Sequence, residues 1–384
     1  MKSRRKIAVI GSTRASYGYK RKFLKKMLAS DSIDLQYIVT GIHLLPEHGL
    51  SVREIEKDQI PIAARVDMMV GGDSPAAWAK SLSIEIGSMA QVYSMLEPDL
   101  LVVTGDRGEM LAAAMTAAYM NIPIAHIQAG DLSGHIDGSA RHAITHLSHL
   151  YLTSCEDSSA RVRKMGFEPW RIHNVGSPQL DVIEETPIVS KAELAKYFNF
   201  DFKKPVVVMI QHAVLQDVEK AEAQVTETLE AIKASGIQTV VIYPNNDSGG
   251  KKVIDVIKKY EHLPNLRSSE NLERNIFINL LRNASAIVGN SSCGILEAPY
   301  LKLPALNIGS RQTGRLRAEN ILDIPHDRKV IKETLEKVVN DKVYREKLMR
   351  CENPYGMGAS DKIVKLLETV DISKQKLLDK RLTY

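Results

Sequence analysis

Short apolar runs alternate with longer helical patterns along the first half of the chain. Between the apolar runs, hydrophobic residues recur at helical spacing, for example over Tyr19–Ala29 and Pro75–Leu96. This alternation predicts right-handed βαβ units and a parallel sheet. The runs that predict strands are KIAVIGS, DLQYIVTG, DLLVVTGD, IPIAHIQ, LYLTS and RIHNVGS.

The same alternation restarts after a polar interval near residues 177–204. Four further runs, PVVVMIQH, TVVIYPN, SAIVGNSS and PALNIGS, predict strands with helical segments between them. We therefore expect two α/β domains, residues 1–177 and 178–360, because one giant sheet is less economical at this length. The last segment, 361–384, has helical spacing and is expected to pack back on the first domain.

Composition excludes several classes of protein. The chain has 384 residues, 44% of them hydrophobic, and a net charge of only +5 with acids and bases interleaved. There is no basic stripe for a nucleic acid and no apolar run of membrane-spanning length. The start, MKSRRK, lacks the apolar region of a signal peptide, and three scattered cysteines suggest a reducing compartment. We expect a cytoplasmic protein.

Polar residues follow two consecutive predicted strands. Ligands of open parallel sheets bind just beyond the carboxyl ends of strands, where ionisable groups with altered acid–base properties also gather. Any one of these residues could be polar only because a strand end reaches the surface, but the whole set predicts a site. The set is Asp106, Arg107, His126, Gln128, Asp131, Asp137, Arg141 and His142.

Two loops of the second half favour a phosphate or diphosphate. GNSSCGILEA places Ser291 and Ser292 where a strand meets a predicted helix, and Glu297 about a turn and a half later could accept ribose hydroxyls. The alternative is an ordinary serine cap. Downstream, Arg311 and Arg315 in GSRQTGR suit phosphate recognition. His212 stands alone at a strand end, and its spacing does not decide between a functional and a structural role.

No metal or cofactor is predicted. The first strand ends in GSTRASYG, which could hold an anion near Arg14 but is neither a dinucleotide-binding nor a phosphate-loop motif. His142, His146 and His149 share a helix face, yet the glutamate of a zinc-binding helix is absent.

Together these motifs resemble the hydrolysing UDP-N-acetylglucosamine 2-epimerases of sialic and legionaminic acid biosynthesis. The resemblance implies two Rossmann-like domains of the glycosyltransferase-B type, with the active site in the interdomain cleft. It covers nearly the whole chain. The matching segments are TRASYG at 13, GDR at 105, HIQAGDLSGHIDGSARHAITHLSH at 126, GSP at 176, QH at 211, YPNNDSG at 243, GNSSCGILEA at 289 and GSRQTGR at 309.

The resemblance implies a chemistry. The C2 proton is removed while UDP leaves C1, and water then adds to the glucal to give UDP and the free 2-epimer. The implied catalytic residues are Asp106, Asp131, Asp137 and His212. The implied substrate-binding residues are Arg14, Arg107, Gln128, Arg141, His142, Asn245, Ser291, Ser292, Glu297 and Arg311.

One departure leaves the C2 base open. Gln128 stands where the family commonly has Glu in its HIEGGE-like segment, and Asp131 stands where it has another Glu. An amide takes up no proton at neutral pH, so Gln128 would orient substrate while Asp106, Asp131 or Asp137 transfers protons. The departure also suggests a changed sugar, such as a 2,4-diacetamido-2,4,6-trideoxy one.

Several alternatives stay open at this point. A glycosyltransferase, or a nucleotide-sugar sensor without turnover, would fit the same pattern. The sequence decides neither UDP against GDP nor the C4 and C6 substituents. The partners expected are a UDP-sugar substrate and a second copy of the chain in a homodimer, as is usual for relatives, with no nucleic acid and no membrane.

Overall fold

The chain forms two compact units. The computed structural model describes residues 4–46, 49–72, 74–245 and 248–383. Unit 1 comprises the described parts of Met1–Gly72, Ala76–Val182 and Tyr355–Tyr384, and unit 2 comprises those of Asp73–Pro75 and Ile183–Pro354. The boundaries expected from the sequence were 177/178 and 360/361, whereas the structure divides the chain at 182/183 and 354/355.

Unit 1 is built on a seven-stranded parallel sheet. Its strands are β1 Arg5–Gly11, β2 Ile33–Thr40, β3 Ile62–Val66, β4 Leu100–Thr104, β5 Ile124–Ile127, β6 Leu150–Thr153 and β7 Ile172–Asn174. They lie in the order β3-β2-β1-β4-β5-β6-β7. β1, β4 and β5 are wholly or almost wholly buried, since helices cover both faces of such a sheet.

The connections of unit 1 are helical. The helices are α1 Arg14–Leu28, α2 Val52–Lys57, α3 Pro75–Leu96, α4 Gly108–Tyr119, α5 His135–Leu147 and α6 Glu156–Lys164. Helix α7, Pro178–Glu185, begins in unit 1 and ends in unit 2. Helix α3 has the predicted bounds. Helix α1 begins five residues earlier than predicted, because Thr13 and Ser16 cap it reciprocally.

Unit 2 repeats the architecture with six parallel strands. They are β8 Val206–Ile210, β9 Gln238–Ile242, β10 Leu266–Ser269, β11 Ala286–Gly289, β12 Ala305–Ile308 and β13 Ile321–Ile324, in the order β10-β9-β8-β11-β12-β13. The helices are α8 Lys191–Phe198, α9 Ala221–Ser235, α10 Gly250–Tyr260, α11 Arg274–Asn283, α12 Cys293–Leu296, α13 Arg328–Asn340 and α14 Lys342–Leu348.

Three strands were not predicted, and each lies at the edge of its sheet. β3, β10 and β13 are only partly buried. An edge strand covered on fewer sides carries fewer apolar residues, so its sequence gives a weaker signal than a central strand.

The C-terminal segment belongs to unit 1 but differs from the single helix expected over 361–384. It forms α15 Ala359–Thr369 and α16 Lys374–Leu378. Val370 is extended, and the carboxylate of Asp371 accepts the Ser373 N–H at 3.0 Å, which turns the chain between the two helices. The buried guanidinium of Arg171 then donates to the carbonyl oxygens of Leu377 and Asp379, each at 2.9 Å.

No helix of the described segments has both the length and the hydropathy that crossing a lipid bilayer demands.

Candidate active site

In unit 1, the candidate site lies where β4 and β5 end. Gly105 takes a positive φ of 84° just after β4, and its carbonyl oxygen lies 2.8 Å from Nε2 of the fully buried His126. Only glycine adopts this backbone conformation readily, so the turn that presents Asp106 depends on it. Asp106 is consequently half-buried at the carboxyl edge of the sheet.

Arg141 joins this turn to helix α5. Its guanidinium is 1% exposed and contacts the Asp106 carboxylate. It also donates to the Gln128 carbonyl at 3.0 Å and to the Ser133 hydroxyl at 2.9 Å. Ser133 in turn donates to the same oxygen of Asp106 at 2.6 Å. Asp106 is therefore held by a cation and a hydroxyl at once, a strong arrangement.

Three carboxylates act on the buried Arg141. Burial alone lowers the pKa of Arg141, but the charges of Asp106, Asp131 and Asp137 outweigh it and raise that pKa above its usual value. The structure thus brings together three of the predicted catalytic carboxylates around one guanidinium. The Arg141 guanidinium donates to Asp106, Ser133 and the Gln128 carbonyl, and its role in binding substrate stays a prediction.

The three carboxylates differ in their surroundings. Asp131 is 5% exposed, and one of its oxygens accepts hydroxyl hydrogen bonds from Ser154 at 2.5 Å and Ser158 at 2.6 Å. Asp106 and Asp137 are half-buried, with Asp137 in the first turn of α5. This geometry favours Asp106 and Asp137 over Asp131 as groups that reach a ligand.

Gln128 occupies an unusual backbone conformation directly after β5. Its φ is 66°, in the left-handed region that residues other than glycine rarely adopt. The side chain is buried beside Gly105, where an added Cβ would lie 3.4 Å from the Gln128 Oε1. Strained residues of this kind cluster at functional sites, and no sequence motif indicated the strain.

The other predicted residues of unit 1 make contacts within the protein, and His149 lies at the opposite, amino edge of the sheet. Arg107 donates to the buried Glu109 at 3.1 Å. Arg14, in the first turn of α1, pairs with Glu54 at 2.6 Å. Burial, reinforced by the charges of Arg141 and Arg161, lowers the pKa of the half-buried His142. His149 accepts the Ile124 N–H on Nδ1 at 3.1 Å within the core.

In unit 2, Asn290 organises the predicted phosphate loops. Its side chain accepts the His212 N–H at 2.7 Å and donates to the His212 carbonyl at 2.9 Å. Its own carbonyl accepts from Gln312 at 2.9 Å and from Arg311 at 3.3 Å. Through its side chain and its backbone carbonyl, Asn290 therefore connects the loops that follow β8, β11 and β12.

The His212 ring has a defined tautomer. The Asn245 N–H donates to its Nδ1 at 3.2 Å, so a neutral ring carries its proton on Nε2. The predicted residues His212 and Asn245 are therefore in contact. A donor at Nε2 is what a departing phosphate oxygen would need.

The helix expected after Ser292 is a single turn. α12 covers four residues only, Cys293–Leu296, so it has little of the macrodipole expected from the sequence. Ser291 and Ser292 are half-buried before it. Glu297 follows at 5% exposure and accepts from Arg274 at 3.3 Å, a partner that no sequence motif signalled.

The comparisons with known proteins identify the family. The model of the UDP-N-acetylglucosamine 2-epimerase family matches residues 25–368. The UDP-N,N'-diacetylbacillosamine 2-epimerase (hydrolyzing) of Legionella pneumophila is 35% identical over 97% of this chain and 98% of its own. The GDP/UDP-N,N'-diacetylbacillosamine 2-epimerase (hydrolyzing) of Campylobacter jejuni is 32% identical, with 84% of each chain covered. The chain belongs to the UDP-N-acetylglucosamine 2-epimerase family.

Solved structures confirm the predicted fold class. The UDP-GlcNAc 2-epimerase of Neisseria meningitidis, bound to UDP-GlcNAc, superposes with a TM-score of 0.80 at 21% identity, covering 94% of this chain and 99% of that one. The Methanocaldococcus jannaschii enzyme, in complex with UDP-GlcNAc and UDP, gives a TM-score of 0.79 at 19% identity, with 94% and 99% covered. The two parallel α/β units are thus those of a glycosyltransferase-B-like fold.

The buried His126 predicts a pH dependence of stability. Burial lowers its pKa from 6.5 to about 3, so the folded protein keeps the ring neutral. The unfolded chain binds a proton below pH 6.5, and the stability contributed by the neutral ring is therefore present above pH 6.5 and lost as pH falls toward 3. The loss is about 1.4 kcal/mol per pH unit.

We expect His126→Gln to lack this pH-dependent contribution to the free energy of unfolding. In denaturant unfolding, the free-energy difference between wild type and variant should shrink by about 2 kcal/mol from pH 7 to pH 5. His262→Gln, at an exposed position, is the control and should follow the wild type. Equal pH dependence of His126→Gln and wild type would contradict the prediction.

Proposed function

We propose that this protein is a hydrolysing 2-epimerase that acts on a UDP-linked 2-acetamido sugar. UDP-N-acetylglucosamine, or a UDP-2,4-diacetamido-trideoxy relative, would react with water to give UDP and the free 2-epimeric sugar, for nonulosonic acid biosynthesis. The observation that carries the proposal is the Asp106 carboxylate held by the buried Arg141, with Asp137 acting on the same guanidinium. The two relatives described above, both named as hydrolysing diacetylbacillosamine epimerases, favour the diacetamido sugar.

The proposed mechanism divides the work between the units. In unit 1, one carboxylate removes the C2 proton as the C1–O bond breaks and UDP leaves, giving the glucal. A carboxylate then activates water, and oxygen and hydrogen add at C1 and C2 with inversion at C2. We assign these steps to Asp106 and Asp137, with Asp131 as a third candidate, while Gln128 orients the sugar.

We assign the leaving group mainly to unit 2. The protonated Nε2 of His212 would donate to the departing diphosphate, because developing charge is stabilised by donors fixed in advance. Ser291, Ser292 and Arg311 would hold the diphosphate, and Glu297 the ribose hydroxyls. Asn245 orients His212, and Arg14, Arg107 and His142 of unit 1 complete the proposed set of substrate contacts.

The reaction is tested with a nucleotide-sugar panel in heavy water. We expect nucleotide release without any acceptor, and solvent deuterium at C2 of the free sugar by NMR. Asp106→Asn and Asp137→Asn keep the size but lose the basicity, so turnover should fall about 10²–10⁴-fold. Gln128→Ala is the comparison and should lose less, because an amide is not the base.

Each contrary result has a definite meaning. Nucleotide release that requires a sugar acceptor would indicate a glycosyltransferase, and binding without release would indicate a sensor. Product that keeps its original C2 hydrogen would exclude the elimination. Near-normal turnover of both Asn variants would move the base to Asp131 or elsewhere.

Arg311 should contribute to nucleotide affinity. It follows β12 and reaches the Asn290 carbonyl at 3.3 Å, beside the two serines. Arg311→Ala should weaken UDP binding by roughly 1.5–3 kcal/mol, the scale of a charge-assisted hydrogen bond. Calorimetry with UDP measures this, and Arg317→Ala, which removes a guanidinium paired with Asp323, is the control. Unchanged UDP affinity in Arg311→Ala would remove Arg311 from the site.

We expect a homodimer through unit 1. Helices α3 and α4 pack together, with the Tyr93 hydroxyl donating to the Ala113 carbonyl at 3.2 Å. Their outer faces expose Met95 at 73% and Tyr119 at 88%, an apolar surface suited to a second copy. The double variant M95E/Y119E should be monomeric by light scattering, whereas Ile188→Glu in unit 2 should not change the mass. A monomeric wild type would refute the expectation.

A further inference from the structure

A second buried charged group lies beside the Asp106 turn. The Glu109 side chain is in the first turn of α4 and has no exposed surface. Room for it depends on Gly41 after β2, which has a φ of 60°: an added Cβ there would lie 3.1 Å from the Glu109 Oε1 and 2.9 Å from the Ser12 carbonyl. The fold therefore makes a closely fitted space for this carboxylate.

One cation contacts Glu109, and a buried amine interacts with its charge. Arg107, only 17% exposed, donates through Nε to both carboxylate oxygens, at 3.3 and 3.1 Å. The fully buried Lys20 donates to the Ile10 carbonyl at 2.7 Å. Burial lowers the pKa of Lys20 to about 7, and the charge of Glu109 opposes that shift. Without such partners, an ionised carboxylate at this depth would destabilise the folded protein.

A neighbouring glutamate, Glu85, is also buried but differs from Glu109 in its partners. Glu85 on α3 is buried to the same extent, and burial together with the Glu109 charge raises its pKa well above the usual value. The raised pKa favours the uncharged form of Glu85. Of these two buried glutamates, Glu109 is the one whose carboxylate contacts Arg107.

The Arg107 contact bears directly on Asp106, the preceding residue. The backbone on one side of Asp106 is fixed at Gly105, whose N–H donates to Ile127 at 3.0 Å and whose carbonyl contacts His126. On the other side, Arg107 is the N-cap of α4, and its side chain is fixed by Glu109. Asp106 is thus the middle residue of a turn that is fixed on both sides.

We propose that Glu109 is a positioning residue for the epimerase reaction: through Arg107 it fixes the turn that presents the Asp106 carboxylate to the substrate. This rests on the proposed function. Glu109 itself has no exposed surface with which to contact substrate. Its role is to limit where Asp106 lies, since displacing a reacting group by about 1 Å costs on the order of 10² in rate.

The test compares Glu109→Gln with the matched Glu85→Gln. Both remove a carboxyl at a buried glutamate, but only the first breaks a contact to Arg107. Glu109→Gln should lower kcat about 10- to 100-fold, with UDP affinity unchanged by calorimetry, and its KM should rise no more than that of Arg107→Gln. Glu85→Gln should keep kcat within about twofold, because the raised pKa of Glu85 favours its uncharged form, which an amide resembles. Melting curves verify that both variants are folded.

A double-mutant cycle separates positioning from general destabilisation. If Glu109 acts through Arg107, the double variant R107Q/E109Q should be no slower than Arg107→Gln alone. Multiplying effects on kcat would overturn the proposal. Should Glu109→Gln fail to fold, Glu109→Asp retains the charge but withdraws it by one methylene, and an unchanged kcat in that folded variant would equally overturn it.

The outcomes also separate this proposal from the function on which it rests. An active wild type with an equally active Glu109→Gln refutes the positioning role alone. A wild type that releases no nucleotide from any sugar of the panel refutes the proposed function and the positioning role together.

Discussion

The candidate site of unit 1 depends on the buried guanidinium of Arg141. Carboxylates from the β4 turn, the β5 turn and the start of α5 would repel one another if brought together without a cation. Arg141 balances that repulsion, and its hydrogen bonds to Ser133 and the Gln128 carbonyl also fix where the loops lie. Removing one partner of such a group leaves an uncompensated buried charge, so the loss of any one member destabilises the whole group.

The two units organise their loops by different means. In unit 1, charges and strained backbone fix the loops: Arg141 holds Asp106, and Gln128 takes a left-handed conformation. In unit 2, the neutral side-chain amide of Asn290 fixes the loops through two hydrogen bonds with the backbone of His212. The difference suits the proposed division of labour. Proton transfer needs carboxylates kept in a defined electrostatic environment, whereas a diphosphate needs donors whose positions are set beforehand.

The sequence predicted the central strands and the loops that follow them, because strands buried on both faces are apolar throughout and their carboxyl ends collect polar residues. It missed the edge strands β3, β10 and β13, whose partial exposure weakens that pattern. It predicted that Asp106, Asp131, Asp137 and Arg141 lie in one group. It did not predict that the three carboxylates differ in burial and in hydrogen-bond partners. Ser154 and Arg274 belong to no motif, and Ser133 lies in a matching segment but was not predicted as a partner. Long-range contacts of this kind arise only once the sheet has formed.

The environment of Asp131 and the strain at Gln128 together narrow the choice of base. The family commonly has glutamate at both positions, and here the first is an amide and the second a shorter acid. One oxygen of Asp131 accepts hydrogen bonds from the hydroxyls of Ser154, just after β6, and Ser158, in α6. Gln128 carries no transferable proton at neutral pH. We therefore propose the half-buried Asp106 and Asp137 as the carboxylates that exchange a proton with a ligand, and both interact with the charge of Arg141.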